Sequence, residues 1–109
     1  MAAVQTMQKI GVLTKLEPKV VQGENISQTH QFVTSGNADL GFVALSQVWQ
    51  KGKLTSGSGW IVPDTYHDEL RQDAVLLDAG QHSEAAKALM SFLKSDKARE
   101  IMVSYGYKH

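Results

Sequence analysis

The chain has 109 residues, of which 42% are hydrophobic and 20% are charged, and it contains no cysteine. We expect a single domain over residues 1–109, because this length supports one hydrophobic core. Eleven basic and eleven acidic side chains give a formal net charge of zero, so no overall field attracts nucleic acid or an anionic membrane. The lack of cysteine excludes disulfides and thiolate metal sites.

The chain opens with a predicted helix at residues 2–10, where apolar side chains recur at helical spacing before Gly11. Residues 19–21 follow Pro18 and are a candidate short strand. The N-terminus has no basic start and no continuous apolar segment, so it does not resemble a secretory signal. We therefore expect the chain as written to stay in the cytoplasm.

A second helix is predicted from Asn25 to Gly36. Asn25 is a strong N-cap, and Gln28 three residues later is typical of a capping box. Residues 40–45 are an apolar run of the kind found in buried strands.

The second half of the chain begins with a Gly- and Ser-rich loop at residues 51–59. Strands are predicted at residues 60–62 and 74–77, and two closing helices are predicted to begin at Ser83 and Ser95. Alternating helices and strands favour an α/β layered fold with mostly parallel strands.

Metal binding and catalysis find little support in the residue pattern. No histidine pair has chelating spacing and no acidic cluster accompanies the four histidines, His30, His67, His82 and His109. The Gly57–Gly59 segment lacks the pattern of a nucleophile elbow, and Asp64 and His67 lie in what we interpret as a solvated turn. We therefore predict neither a metal site nor an enzyme.

Nucleic-acid binding is also disfavoured. Four aromatic residues could stack on bases, but they are far apart in the sequence and no basic stripe connects them: Trp49, Trp60, Tyr105 and Tyr107.

The start of the predicted second helix is a candidate anion site. Free backbone N–H groups and the helix dipole favour negative charge around Asn25, Ile26 and Ser27. An ordinary capping box without a ligand is the alternative, because every helix start offers such N–H groups.

Several segments together resemble the molybdate-binding periplasmic proteins of ABC transporters, and they occur in the order of that family. They are GENISQT (23–29), ADLGFVALSQV (38–48), GSGWIVP (57–63), RQDAVLL (71–77) and the closing part of the chain. The resemblance implies a layered αβα sandwich, one lobe of a type II periplasmic-binding-protein fold lacking its N-terminal half. It also implies binding of molybdate or tungstate and docking on an ABC transporter permease.

The family's ligand donors carry over only in part. Ile26 matches the position whose backbone N–H donates to the oxyanion, with Asn25 and Ser27 beside it. Ala44 stands where some members have a tyrosine donor, and the donors of the first lobe have no counterpart here. The resemblance therefore implies a truncated relative with at most weak residual oxyanion binding.

A missing central strand would leave apolar faces and strand edges unpaired. We therefore expect a homodimer or a domain-swapped oligomer. Two hypotheses stay open: residual oxyanion binding, completed by a second copy, or an orphan dimeric interaction module that has lost its ligand.

Overall fold

The computed structural model describes residues 1–108, and it is dominated by helices. The longer ones are α1 (Ala2–Lys9), α3 (Ile26–Thr34), α5 (Glu84–Leu93) and α6 (Asp96–Ser104), and the one-turn helices are α2 (Leu13–Leu16) and α4 (Leu45–Val48). Short 3₁₀ helices lie at Glu17–Lys19, Asp64–Tyr66 and Asp78–Gly80. The strands β1 (Trp49–Gln50) and β2 (Lys53–Leu54) form an antiparallel hairpin.

The helix boundaries follow the capping signals of the sequence. The side chains of Asn25, Ser83 and Ser95 each accept a hydrogen bond from the backbone N–H three residues later, as N-caps do. Gly36 and Gly106 follow the ends of α3 and α6 with φ of +77° and +88°, a conformation that glycine adopts without a Cβ penalty. These predicted helices are confirmed.

The predicted strands are not paired with one another within residues 1–108. Backbone torsion angles at Val20, Ala44 and Leu77 are extended, but residues 19–21, 40–44, 60–62 and 74–77 form no ladder. The buried strand predicted at residues 40–45 is wrong, because no strand forms there, Leu40 is 74% exposed and Leu45 opens α4. The apolar pattern selects extended backbone, whereas a strand also needs a neighbour for its N–H and C=O groups.

The described chain buries little of its apolar surface. Only Thr6, Met7 and Ala98 are buried, and the accessible surface is 8983 Å², against about 6,000 Å² for a compact monomer of this size. The radius of gyration is 17.3 Å, whereas a compact domain of this length has about 13 Å. Residues 1–108 by themselves therefore leave their apolar surface incompletely covered.

The C-terminal segment connects α6 to α4. The backbone N–H of Lys51 donates to the carbonyl oxygen of Ser104 over 3.0 Å, and the hydroxyl of Tyr107 donates to Oγ of Ser46 over 3.2 Å. These contacts join α6 to the turn of the β1–β2 hairpin and the C-terminal segment to α4.

Candidate functional site

The first turn of α3 is organised by reciprocal hydrogen bonds. The side-chain oxygen of Asn25 accepts from the Gln28 N–H over 2.9 Å, and Oε1 of Gln28 accepts from the Glu24 N–H over 2.6 Å. One half of the predicted capping box is therefore present, whereas the Gln28 side chain bonds the residue before the cap instead of the Asn25 N–H. The side-chain oxygen of Asn25 is therefore engaged in this bond, which orders the start of the helix.

Two backbone donors of this turn remain available to a ligand. Within residues 1–108, the N–H groups of Ile26 and Ser27 donate to no protein acceptor. Both residues are exposed. Since Ile26 and Ser27 are the first two helical residues, their N–H groups have no partner inside the helix. The structure thus brings two adjacent free donors, and the Ser27 hydroxyl, to one helix end.

Charge distinguishes this helix start from the other two well-capped ones. The first turn of α3 contains no acidic residue, whereas α5 carries Glu84 and α6 carries Asp96 in the corresponding turn. A carboxylate in the first turn interacts favourably with the positive end of the helix dipole, and it repels any further anion that approaches. Among α3, α5 and α6, only α3 has no carboxylate inside its first turn, and its nearest carboxylate in the sequence is that of Glu24 before the N-cap.

A neighbouring helix contacts this turn through Gln47. The Gln47 side chain accepts a hydrogen bond from the Ala44 N–H over 3.2 Å and donates to the carbonyl oxygen of Ile26 over 3.4 Å. Gln47 was not among the residues predicted from the sequence. The signal that could have found it is its place three residues after Ala44, which is the N-cap of α4, since Gln at that position is typical of helix starts.

The structure also places the residues that were considered for metal binding and for base stacking. No group of three or more His, Asp or Glu side chains within residues 1–108 could hold a metal ion, and His109 lies outside the described residues. His67 contacts the carbonyl oxygen of Asp68 through Nδ1, over 2.7 Å. Of the aromatic residues considered for stacking, Trp60 packs edge-to-face against Tyr66 with ring centroids 5.9 Å apart.

The pKa of Asp64 is lowered by its neighbour Lys108. The Lys108 ammonium donates a hydrogen bond to its carboxylate, and this bond, together with the charge of Lys108, lowers the pKa of Asp64 below its ordinary value. The pair is exposed on both sides, so it joins the C-terminal segment to residues 64–66 without forming an enclosed site.

No helix within residues 1–108 has the length and apolar content needed to cross a membrane.

Known proteins resemble this chain over almost all of its length. It is 53% identical to the molybdate-binding protein ModA of Azotobacter vinelandii and 50% identical to that of Rhodobacter capsulatus, each over 106 residues and 97% of the chain. The structure superposes on the solved periplasmic molybdate-binding protein of Azotobacter vinelandii with a TM-score of 0.89, 35% identity and 99% of the chain covered. The predicted fold class is confirmed by this match.

The match covers only part of each relative. The chain spans 42% and 41% of the two ModA proteins and 48% of the solved chain. The relatives are named as binding proteins. The roles of Asn25, Ile26 and Ser27 stay a prediction.

The family model described as bacterial extracellular solute-binding protein matches residues 1–108. This match agrees with the resemblance seen in the sequence. The chain therefore belongs to the bacterial extracellular solute-binding protein family.

Proposed function

We propose that the protein binds molybdate or tungstate at the first turn of α3, as a solute-binding component and not as an enzyme. The observation that carries the proposal is the pair of free N–H groups at Ile26 and Ser27 in a turn without an acidic residue. The relatives named as molybdate-binding proteins support the choice of ligand.

The proposed donors suit a small tetrahedral dianion. Backbone N–H groups and a hydroxyl supply directed hydrogen bonds without a fixed positive charge, so the ligand is recognised by shape and can leave again. Two hydrogen bonds to a charged ligand contribute about 1.5–3 kcal/mol each. Their sum of about 3–6 kcal/mol is offset in part or in full by the cost of association, so we expect a dissociation constant of about 1 mM or weaker for residues 1–109 alone.

Thermal unfolding with sodium molybdate, tungstate, sulfate or phosphate, at constant ionic strength, tests the proposal. A ligand at ten times its dissociation constant adds about 1.4 kcal/mol to the free energy of unfolding. We expect this gain with molybdate and tungstate, and a smaller one with sulfate and phosphate.

Ile26→Pro removes one proposed donor. Proline is tolerated at the first helical position, and the extended backbone of Asn25 suits a residue before proline. The matched control is Glu84→Pro, which makes the same change at the first position of α5. We expect Ile26→Pro to abolish the molybdate shift and Glu84→Pro to retain it. Equal shifts in both variants would contradict the proposed site.

We also propose that this binding serves transport in the periplasm, with docking on an ABC transporter permease as the family resemblance implies. Cell fractionation followed by crosslinking tests both points. Recovery of the protein only in the cytoplasm would contradict them and would support the sequence-based expectation of a cytoplasmic location.

A second candidate function is self-association, as a dimeric interaction module that no longer binds a ligand. The segment 68–77, which contains no helix or strand, favours it, because the side chains of Leu70, Val75 and Leu77 are 67%, 76% and 68% exposed. The accessible surface exceeds that of a compact monomer by about 3,000 Å², an area in the range of obligate dimer interfaces.

Light scattering after size exclusion measures this association at tens of micromolar protein. We expect a dimer, and we expect Val75→Thr with Leu77→Thr to shift the population toward monomer. The control is Val103→Thr on α6, where the side chain is also exposed. A monomer at 100 μM wild-type protein would rule out this candidate.

Molybdate added to the same experiment separates the two functions. A ligand-dependent rise in dimer would show that a second copy completes the anion site, whereas an unchanged mass with no thermal shift would favour the interaction module.

A further inference from the structure

We propose that Thr29 and Gln47 are positioning residues for the anion site, each aligning and polarising one of its two N–H donors. The inference rests on the proposed binding of an oxyanion by Ile26 and Ser27. Each of the two N–H groups belongs to a peptide unit that also contains a carbonyl oxygen. In both units this carbonyl oxygen accepts a hydrogen bond from a side chain.

Thr29 contacts the peptide unit that carries the Ile26 N–H. The carbonyl oxygen of that unit belongs to Asn25, and it accepts from both the backbone N–H and the hydroxyl of Thr29, each over 3.1 Å. Gly23 lies against the same group. A Cβ added at Gly23 would be 2.9 Å from the Thr29 backbone nitrogen and 3.1 Å from the Asn25 oxygen, so a side chain there would disturb this contact.

Gln47 contacts the next peptide unit, which carries the Ser27 N–H. Its carbonyl oxygen belongs to Ile26 and accepts from Nε2 of Gln47 over 3.4 Å. The other end of the Gln47 amide is held by the Ala44 N–H. The amide is therefore anchored on α4, and α4 in turn is held by the Tyr107–Ser46 hydrogen bond.

The planar trans peptide transmits these contacts to the ligand. In such a unit the C=O and N–H bonds point in opposite directions, so a donor on the oxygen fixes the direction of the N–H. It also polarises the unit and strengthens the N–H as a donor by roughly 10–30%. For a hydrogen bond to a charged ligand, this corresponds to about a 1.3-fold to fivefold change in dissociation constant.

Conservative variants remove the two contacts one at a time. Thr29→Val deletes the hydroxyl with little change in shape, and Thr29→Ser restores it. The matched control is Thr34→Val at the other end of α3, where the hydroxyl donates to the Gln31 carbonyl oxygen over 3.2 Å. Gln47→Met deletes the amide, with Gln50→Met on the exposed strand β1 as its control.

Molybdate dissociation constants from calorimetry and amide proton shifts from NMR spectra of the free protein provide the two readouts. We expect Thr29→Val and Gln47→Met each to weaken binding about 1.3-fold to fivefold, with Thr29→Ser and both controls near wild type. The Ile26 amide proton should move upfield in Thr29→Val, and the Ser27 amide proton in Gln47→Met.

The outcomes separate this inference from the proposed function. Wild-type protein that binds no molybdate would overturn both. Wild-type binding that both variants retain at full strength would overturn the positioning roles alone. Equal weakening in Thr29→Val and Thr34→Val would also overturn the role of Thr29, because it would reflect general loss of helix stability.

Discussion

Gly106 packs directly against Leu45, so that a Cβ at position 106 would lie 2.7 Å from Cδ2 of Leu45. The same glycine has a φ of +88° and ends α6. Its backbone therefore serves two purposes: it turns the chain out of the helix, and it lets the C-terminal segment approach α4. Through this approach Tyr107 reaches Ser46.

Gly106→Ala should destabilise the protein more than Gly36→Ala. Both glycines follow a helix end with positive φ, so both substitutions incur left-handed backbone strain of about 1–2 kcal/mol. An added Cβ at Gly36 meets nothing within 4 Å, whereas at Gly106 it collides with Leu45, which costs about 1–3 kcal/mol more. Urea unfolding of the two variants measures the difference. Equal losses would show that Leu45 moves aside freely.

Asn25→Asp should separate helix stability from anion binding. Aspartate keeps the N-cap acceptor for the Gln28 N–H, and its charge at the start of α3 stabilises the helix by about 0.3–1 kcal/mol. The same charge repels a bound dianion, so we expect molybdate affinity to fall at least about tenfold. Ser83→Asp on α5 is the control, because it changes charge at another N-cap. Retained affinity in Asn25→Asp would place the ligand elsewhere.

Lys108→Ala should raise the pKa of Asp64 toward its ordinary value. The hydrogen bond from Lys108 is the largest cause of the lowered pKa, followed by the charge of Lys108. NMR titration of the Asp64 carboxyl carbon measures the shift, and Lys94→Ala is the control. An unchanged pKa in Lys108→Ala would show that the ion pair does not form in solution.

The sign of the pH effect follows from the lowered pKa in the folded protein. The Asp64–Lys108 contact stabilises the fold above the unfolded pKa of 3.8, and this contribution is lost as the pH falls through the folded pKa. Because the pair is exposed, solvent screening keeps the contribution small. We expect the free energy of unfolding at pH 7 to be nearly unchanged in Asp64→Asn.

Met7→Ala tests how much the small buried cluster contributes. Met7 is 6% exposed, and Thr6 beside it is 1% exposed. Burial predicts a loss of about 2 kcal/mol or more, measured by urea unfolding. Val4→Ala on the same helix is the control, since Val4 is 43% exposed and should lose less than about 1 kcal/mol. Equal losses would show that α1 packs through its other face.

The helix starts were predictable because their signals are local. Asn25, Ser83 and Ser95 each satisfy an N–H three residues away, within the reach of a short sequence pattern. The candidate anion site was predictable for the same reason, since the free donors of Ile26 and Ser27 follow from their positions in the first turn of a helix.

The closing helices bury only a small part of their apolar side chains. Ala98 is buried, but Leu89 and Ile101 are 57% and 45% exposed. Spacing identifies the side of a helix that can be buried, whereas burial also requires a neighbouring element to cover it. Within residues 1–108, that cover is incomplete.

The sequence by itself determined the four longer helices of this protein and the N-caps of three of them, because these depend on residue types within a few positions of one another. The order of its segments also indicated its family. Only the tertiary structure decided that Gln47 contacts Ile26 and that Tyr107 reaches Ser46, across 21 and 61 positions. It also decided that Val75 and Leu77 remain exposed. Long-range contacts and strand pairing depend on which surfaces pack against each other, and a local residue pattern does not specify those packing partners.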